Sequence, residues 1–168
     1  MIRHTAFAAA LATCLTLPAA MAQDGPMTPM RSDVRFEDRP VASDARNWAR
    51  EGNTTVINLL TAPEIEALDF DYAGTVMQSG MVYANVPVGR MTGSDAADAV
   101  ARILADAEGP VVINCGSSVR ASHVFAAAQI RAGNITRDQL HLIDAEREWN
   151  QELITRYLGE TPAPESAE

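Results

Sequence analysis

The chain has 168 residues, of which 47% are hydrophobic, 21% charged and 5% aromatic. This composition is typical of one compact globular domain and excludes collagen-like, low-complexity and coiled-coil chains. The 13 basic residues are all arginine and stand against 22 acids, so the net charge is −9. Such a charge disfavours nucleic acid or an anionic membrane surface as a partner, and favours a small molecule or another protein. The oligomeric state is left open.

Residues 1–22 have the pattern of a cleaved secretory signal. Arg3 is followed by an apolar stretch over residues 6–17, Pro18 and the small-residue ending Ala20-Met21-Ala22. The alternative, a membrane anchor, needs roughly 20 apolar residues, and this stretch is interrupted by threonine and proline. We therefore predict cleavage after Ala22, a periplasmic or secreted protein, and no membrane contact beyond the cleaved signal.

Cys115 becomes the only thiol of the exported chain, because Cys14 leaves with the signal. No internal disulfide can then form, so Cys115 is either a buried spectator or a working thiol. One cysteine and two histidines without ligand spacing predict no metal site, and no Gly-rich nucleotide motif follows a strand. We expect no cofactor.

The folded unit is predicted to span residues 34–158. Residues 23–33 have the composition of a linker, and residues 159–168 that of a disordered acidic tail. Short β-branched apolar runs predict strands that are buried on both faces, with a weaker edge strand before them. The three runs and the edge strand are residues 54–60, 81–88, 110–114 and 34–37.

Helical segments alternate with these strands. They are residues 44–51, 62–79 with a break near Asp69, 95–108, 119–132 and 137–158. Capping boxes begin two of them, at Thr61 with Glu64 and at Thr136 with Gln139. The alternation predicts an α/β fold in which a mostly parallel central sheet of about four strands is flanked by helices. Ligands of such sheets bind beyond the carboxyl ends of the strands, here the loops that open at Thr61, Gly89 and Cys115.

The loop at Cys115 combines a nucleophile with an anion-binding pattern. A buried strand ends at Cys115, four small or neutral residues and Arg120 follow, and a helix begins. Main-chain N–H groups at a helix N-terminus stabilise an anion, and the same field favours the nucleophilic thiolate. The Arg120 guanidinium can bind two oxygens of an oxyanion at once. The predicted anion-binding residues are Gly116, Ser117, Ser118 and Val119.

This loop resembles the phosphate-binding loop of the cysteine-based phosphatases. The chain is more closely similar to the bacterial beta-lactamase-hydrolase-like phosphatase-like domain family, which is related to dual-specificity and other protein tyrosine phosphatases. The resemblance covers residues 34–158 through the segments TTVINLL, VYANVPV and GPVVINC and the following helix. It implies a tyrosine-phosphatase-like fold in which Cys115 attacks phosphorus and Arg120 holds the phosphoryl oxygens.

The loop departs from that family's pattern in several places. Asn114 stands where tyrosine phosphatases usually have His, and four residues rather than five separate Cys115 from Arg120, as in rhodanese-type loops. Ser118 and Ala121 stand where Gly and Ser or Thr are usual, and Ser122 comes one residue late for a hydroxyl contact to the thiolate. These departures bear on turnover more than on anion binding.

The resemblance also implies a general acid on the loop after the preceding strand. Asp95 is the only acid of the segment 89–95, but an acid that opens a helix is equally explained by the helix dipole. Arg90 on the same loop is either a substrate contact or a solvated charge. His123 is predicted to be a packed or capping residue rather than a base, and the acids at 144, 146 and 148 to lie on the solvated side of a helix, with His141.

Three functions remain open from the sequence. The first is an exported cysteine-dependent phosphatase-like hydrolase that acts on phosphate esters through a Cys115 thiolate. The second is a sulfurtransferase that carries a persulfide on Cys115 and needs no general acid. The third is a binding module that has lost turnover and recognises an oxyanion or phospho-ligand, since an exposed thiol without a resolving cysteine is easily oxidised outside the cytoplasm. The expected partner in each is a small-molecule or protein-borne phosphate or other oxyanion.

Overall fold

The computed structural model of the protein describes residues 30–160. The predicted signal peptide, residues 23–29 of the predicted linker and residues 161–168 of the predicted tail lie outside the described residues. No helix within residues 30–160 combines the length and the apolar character that crossing a membrane requires.

A four-stranded parallel sheet forms the centre of the domain. Its strands are β1 (Val34–Glu37), β2 (Thr55–Asn58), β3 (Val82–Asn85) and β4 (Val111–Asn114). The spatial order is β1-β4-β2-β3, and every neighbouring pair is parallel. The predicted α/β fold and strand number are confirmed, and all four strands direct their carboxyl ends toward one edge of the sheet.

The central strands β2 and β4 are buried at every residue, whereas β3 is an edge strand. The prediction that all three apolar runs are buried on both faces is therefore wrong for β3. Its first residue, Val82, is 62% exposed. The reason is that, among residues 30–160, β3 pairs with β2 alone and no strand lies on its other side. Apolar composition marks a strand but does not fix its place in the sheet.

Within residues 30–160, six α-helices and one 3-10 helix surround the sheet. The α-helices are α1 (Asp44–Arg50), α2 (Ala62–Glu66), α3 (Tyr72–Gln78), α4 (Ser94–Asp106), α5 (Val119–Arg131) and α6 (Gln151–Leu158). Residues of α4, α5 and α6 pack around Ile57 and Ile113 on one face of the sheet. Residues of α1 and α3 pack around Val56 and Val112 on the other. Alternate residues of each central strand thus serve opposite cores.

The predicted break near Asp69 and both capping boxes are confirmed. Helix α2 ends at Glu66, and Asp71 caps α3 by accepting a hydrogen bond from the Gly74 N–H at 3.0 Å. The capping boxes of Thr61 with Glu64 and of Thr136 with Gln139 are both formed.

The prediction of one long helix over residues 137–158 is wrong. A 3-10 helix spans Arg137–Leu142 and α6 begins only at Gln151, so the acids at 144, 146 and 148 do not share a helical face. Local side-chain bonds compete with the helix in between. The Asp144 carboxylate accepts from the Glu146 N–H at 3.1 Å, and the Asn150 side chain caps α6 by accepting from the Leu153 N–H at 3.0 Å.

Candidate active site

The loop from Cys115 to Arg120 lies where the sequence predicts it, between the carboxyl end of β4 and the first residues of α5. The Cys115 N–H donates to the Glu37 carbonyl at 3.2 Å, and Ser117 forms an isolated bridge with Asp38. Ser118 adopts a left-handed conformation with a φ of 55°. That conformation is unfavourable for a residue with a Cβ. The contacts of Cys115 and Ser117 with the chain after β1 hold the loop, and with it the backbone of Ser118, in place.

The side chain of Cys115 is buried, which is one of the two alternatives that the sequence leaves open. Its exposed fraction is 0%, and it belongs to the apolar core between the sheet and α5. The next two residues, Gly116 and Ser117, are exposed. The loop backbone therefore faces solvent while the thiol lies beneath it.

Arg120 turns inward, as the sequence analysis requires of an anion-binding arginine. Its Nη1 and Nη2 groups donate to the two carboxylate oxygens of Glu64 at 3.0 and 2.5 Å, and Nη1 also donates to the Val88 carbonyl at 2.6 Å. The hydrogen bonds to Glu64, with a smaller contribution from the charge of Glu64, raise the pKa of Arg120 above its ordinary value.

Glu64 is a carboxylate under all but strongly acidic conditions. The hydrogen bonds from Arg120, with smaller contributions from the backbone and hydroxyl of Thr61, lower the pKa of Glu64 from 4.5 to about 2. The Thr61 N–H and Oγ1 lie 2.8 and 2.7 Å from Glu64 Oε2. The same carboxylate therefore closes the capping box of α2 and holds the guanidinium of Arg120.

The bonds of Arg120 leave one edge of its guanidinium available. A guanidinium has five N–H donors, of which Glu64 and Val88 take two from Nη1 and one from Nη2. The Nε–H and the second Nη2–H donate to no residue within 30–160. These two N–H groups lie side by side on the planar group, the geometry that binds two oxygens of a tetrahedral anion.

A cleft of about 410 Å³ adjoins Arg120. It joins the three loops that the sequence analysis singles out, because Thr61 follows β2, Gly89 follows β3 and Arg120 ends the loop after β4. Helix α6 closes one side. The lining residues are Thr61, Glu64, Val88, Gly89, Arg90, Arg120, Leu153, Arg156 and Tyr157.

The predicted anion-binding residues differ in whether their backbone N–H groups are already hydrogen-bonded and in what surrounds them. The Val119 N–H donates to the Ser117 carbonyl at 2.7 Å and is already engaged. Gly116 lies against the ion pair, since a Cβ built on it would be 3.0 Å from Arg120 Nη2 and 3.7 Å from Glu64 Oε1. A side chain at this position would crowd the ion pair of Arg120 and Glu64.

Asn114, which stands in the usual position of His, belongs to a buried polar network. It accepts a hydrogen bond from the Tyr72 hydroxyl at 2.7 Å and donates to Asn58 Oδ1 at 3.2 Å. Asn58 in turn donates to the Tyr83 hydroxyl at 2.9 Å. Burial raises the pKa of Tyr72, so the network is neutral and adds no cation beside Cys115.

His123 is a packed structural residue, as the sequence predicts, and Ser122 does not turn toward the thiol. His123 Nε2 accepts from the Asn150 N–H at 2.9 Å, so the proton is on Nδ1, which donates to the Val119 carbonyl at 2.8 Å. The Ser122 hydroxyl also donates to the Val119 carbonyl, at 3.0 Å. Burial lowers the pKa of His123, which keeps the ring neutral.

The structure does not bring Asp95 into the cleft. Asp95 is exposed in the first turn of α4 and is not among the cleft-lining residues. Arg90, for which the sequence leaves a substrate contact or a solvated charge open, does line the cleft. Glu64 is the only carboxylate that lines the cleft among residues 30–160. Over the same residues, no cluster of three or more His, Cys, Asp and Glu side chains is arranged for a metal ion.

Comparison with known proteins bears on the fold. No protein-family model matches the sequence. No curated protein matches it either. Solved structures do match: a DUF442 candidate phosphatase from Shewanella putrefaciens has 20% identity and a TM-score of 0.59, over 79% of this chain and 88% of that one. The chain has a tyrosine-phosphatase-like fold.

Two further structures support this assignment. Tk-PTP has 14% identity and a TM-score of 0.61, over 77% of this chain and 92% of its own. TpbA from P. aeruginosa has 16% identity and a TM-score of 0.56, over 76% and 80% of the two chains. The expected tyrosine-phosphatase-like architecture is therefore confirmed at the level of the fold.

Three residues of the site are absent from the sequence-based prediction. Glu64 was recognised only as part of a capping box, and no signal in the sequence indicated its pairing with a residue 56 positions away. Tyr157 and Arg156 come from α6, a helix whose start the sequence misplaced. Both residues line the cleft together with Leu153, which lies about one helical turn earlier in α6. These three residues therefore form the face of α6 that closes the cleft.

Proposed function

We propose that the protein is an exported cysteine-dependent phosphatase-like hydrolase that acts on phosphate esters. One observation carries the proposal. Arg120 is held by Glu64 and Val88 so that a two-donor edge of its guanidinium remains available, on a loop that also contains Cys115. The tyrosine-phosphatase-like fold and the neighbouring structures described as phosphatases support the same reaction class.

In the proposed reaction, Cys115 Sγ attacks phosphorus and the ester P–O bond breaks. The leaving oxygen takes its proton from water, and a second water then cleaves the phosphocysteine to phosphate and free thiol. Arg120 and the exposed amides of the loop stabilise the charge on the equatorial oxygens. Because the thiol is fully buried, the reaction requires a movement of the loop that uncovers Cys115.

We propose that no side chain of the cleft protonates the leaving group. Glu64 is ionised at neutral pH because its pKa is about 2. For Asp95 we propose the helix-stabilising role, since it is exposed at the start of α4 and outside the cleft lining. Asp95→Asn should then leave the dependence of rate on leaving-group acidity unchanged, whereas a general acid would make that dependence steeper when it is removed.

A second candidate is an oxyanion-binding module without turnover. The burial of Cys115 favours it, because a covered thiol neither attacks a substrate nor oxidises readily. In that case the loop and Arg120 would recognise a phosphate or sulfate group on a partner.

Two assays on the purified protein and on Cys115→Ser separate the candidates. Release of phosphate from an aryl phosphate that the Ser variant abolishes supports the hydrolase. Thiocyanate formed from thiosulfate and cyanide, without phosphate release, would identify a sulfurtransferase instead. Binding of vanadate or phosphate by both proteins, with neither activity, would identify the binding module.

Export is a separate part of the proposal. The signal-like residues 1–22 predict that the protein isolated from the periplasm or medium of a bacterial host begins at Gln23. N-terminal sequencing checks this, and intact Met1 on the isolated protein would contradict it.

A further inference from the structure

The cleft beside Arg120 is positively charged in a protein that is strongly acidic. Its lining contains three arginines and one glutamate, while the whole chain has a net charge of −9. Glu64 neutralises Arg120 through the paired hydrogen bonds already described. The excess positive charge of the cleft therefore belongs to Arg90 and Arg156.

Arg90 and Arg156 face the cleft from two different elements and are joined to each other. Arg90 is on the loop after β3, and Arg156 is in the last turn of α6. Arg156 Nη1 donates to the Arg90 carbonyl at 3.1 Å, which holds the loop against the helix. The contact fixes the backbone of Arg90 beside α6, and both arginines line the cleft.

Neither guanidinium is neutralised by a buried carboxylate. Arg90 donates no side-chain hydrogen bond to any residue within 30–160. Arg156 contacts Glu152 at 3.1 Å, but the Glu152 side chain is 74% exposed, and a pair so open to water is weak. Two weakly neutralised cations that line one cleft favour the binding of an anion there.

We propose that the ligand of this cleft is a small phosphomonoester with a second anionic group, which Arg90 and Arg156 bind while Arg120 binds the phosphoryl group. The inference rests on the proposed function for the phosphoryl position. It adds the substrate class: a doubly anionic small molecule such as a bisphosphate or a phosphorylated carboxylate. The volume of about 410 Å³ is within the range of small-molecule sites.

Calorimetry with two non-hydrolysable probes tests the second subsite directly. 4-Carboxyphenylphosphonate and 4-carbamoylphenylphosphonate have nearly the same shape and differ in one negative charge. We expect the carboxylate probe to bind at least about fivefold more tightly, the ratio that corresponds to about 1 kcal/mol. The ratio should fall as salt is raised from about 0.05 to 0.5 M, because the subsite is open to solvent.

Variants that remove one positive charge show which arginines cause the preference for the carboxylate probe. Arg90→Gln and Arg156→Gln should each lower the ratio to below about twofold, and Arg156→Lys should keep part of it because the positive charge remains. Arg102→Gln is the matched control, since Arg102 is an exposed arginine on α4 outside the cleft lining. Equal binding of the two probes, no binding of either, or a preference that survives both glutamine variants would overturn the inference.

A separate assay tests the proposed phosphatase activity. Phosphate release from 4-carboxyphenyl phosphate tests the hydrolase, whereas the phosphonates report binding alone. A preference for the carboxylate probe without any phosphate release would leave the second subsite standing and refute the phosphatase.

Discussion

At the scale of single residues, Arg120 depends on Glu64 for its orientation. A long arginine side chain that is free in solvent loses conformational entropy when it binds an anion. Glu64 and the Val88 carbonyl hold three of the five N–H groups before any ligand arrives. The remaining edge is therefore positioned in advance, which is what preorganised electrostatic stabilisation requires.

Arg120→Lys tests the role of the planar group. Lysine keeps the charge but has no pair of parallel donors, so we expect kcat/KM for an aryl phosphate to fall about 100-fold, the scale of losing one oxyanion donor. The steady-state rate of phosphate release measures it, with Arg102→Lys as the control. Retention of more than about a third of the wild-type kcat/KM would contradict the assigned role.

Glu64 links the site to stability at low pH. Its folded-state pKa of about 2 is below the ordinary 4.5, so the ionised carboxylate stabilises the fold above about pH 4.5 and this stabilisation is lost as the pH falls toward 2. Glu64→Gln should lower the free energy of unfolding at pH 7 by about 1 kcal/mol, a modest figure because the pair is partly solvated. The difference from wild type should vanish near pH 2. Urea unfolding at several pH values measures it.

The control for this measurement is on the same helix. Glu66 is exposed at the end of α2, so Glu66→Gln removes an equal charge without touching Arg120. If the free energy of unfolding of Glu64→Gln stays as far below that of wild type between pH 4.5 and 2 as at pH 7, the ion pair is not the cause of the difference.

At the scale of elements, His123 couples α5 to α6. Its ring joins the Val119 carbonyl at the start of α5 to the Asn150 N–H just before α6, so it supports both the end of the Cys115–Arg120 loop and the helix that carries Arg156. The ring packs beside Trp149 with a centroid distance of 5.1 Å. The position of α6 over the cleft thus depends on a neutral histidine.

Acid should weaken this coupling. Burial, with a smaller contribution from the charge of Arg147, lowers the pKa of His123 below its ordinary 6.5. The unfolded chain then binds the proton more readily, and stability falls as the pH is lowered through about 6.5 toward the folded-state pKa. We expect His123→Gln to be less stable by about 2 kcal/mol at pH 7.5.

The His123→Gln variant should also lose most of the pH dependence of unfolding between pH 7.5 and 5, as followed in urea. His141→Gln, at an exposed position of the 3-10 helix, serves as the control. If wild type and His123→Gln fall in parallel over this range, another group is responsible.

Arg31 attaches the chain before β1 to the end of α4. Its guanidinium donates to the carbonyls of Leu104, Ala107 and Gly109 at 2.8, 2.7 and 2.7 Å, so residues 30–33 of the predicted linker pack on the domain. These carbonyls at and beyond the end of α4 lack helical partners, and a cation there is favourable. Arg31→Ala should lower the free energy of unfolding by about 2 kcal/mol in urea. If Arg31→Ala lowers the free energy of unfolding no more than Arg102→Ala does, the contacts of Arg31 do not stabilise the fold.

At the scale of the whole molecule, stability is concentrated in the two central strands. β2 and β4 are paired on both sides and buried at every residue, whereas β1 and β3 are the edges. The loop with Cys115 follows β4 directly, so the site is attached to the most protected part of the sheet. The first residue of the loop is therefore fixed by the sheet, and any movement of the loop belongs to the residues after Cys115.

Hydrogen exchange should reveal this gradient. The amides of β2 and β4 are expected to exchange at least about 100-fold more slowly than those of β3, because opening the centre of the sheet requires nearly global unfolding. Exchange followed by NMR or mass spectrometry measures it. Equal protection of β3 and β4 would mean that the exposed edge of β3 is covered in solution.

The pattern of the chain predicted most elements and much of the loop, for local reasons. Capping residues, the apolar runs and the spacing from Cys115 to Arg120 act over a few residues, so Thr61, Asp69 and Arg120 were placed correctly. The single helix predicted over residues 137–158 was wrong. The composition of this segment is helical, but the hydrogen bond of Asp144 and the cap at Asn150 interrupt the helix. Whether Cys115 is buried was left open by the sequence, since exposure depends on what packs over a residue.

By itself the amino-acid sequence determined a mostly parallel α/β sheet, a loop that runs from Cys115 to Arg120 at the start of a helix, and the three strand ends that would meet. These follow from hydrogen bonding and hydrophobic periodicity between near neighbours. Only the tertiary structure decided that Glu64 holds Arg120, that Cys115 is covered, and that Arg90 and Arg156 share the cleft. Those contacts join residues tens of positions apart, and their partners are selected by packing in three dimensions rather than by any local pattern.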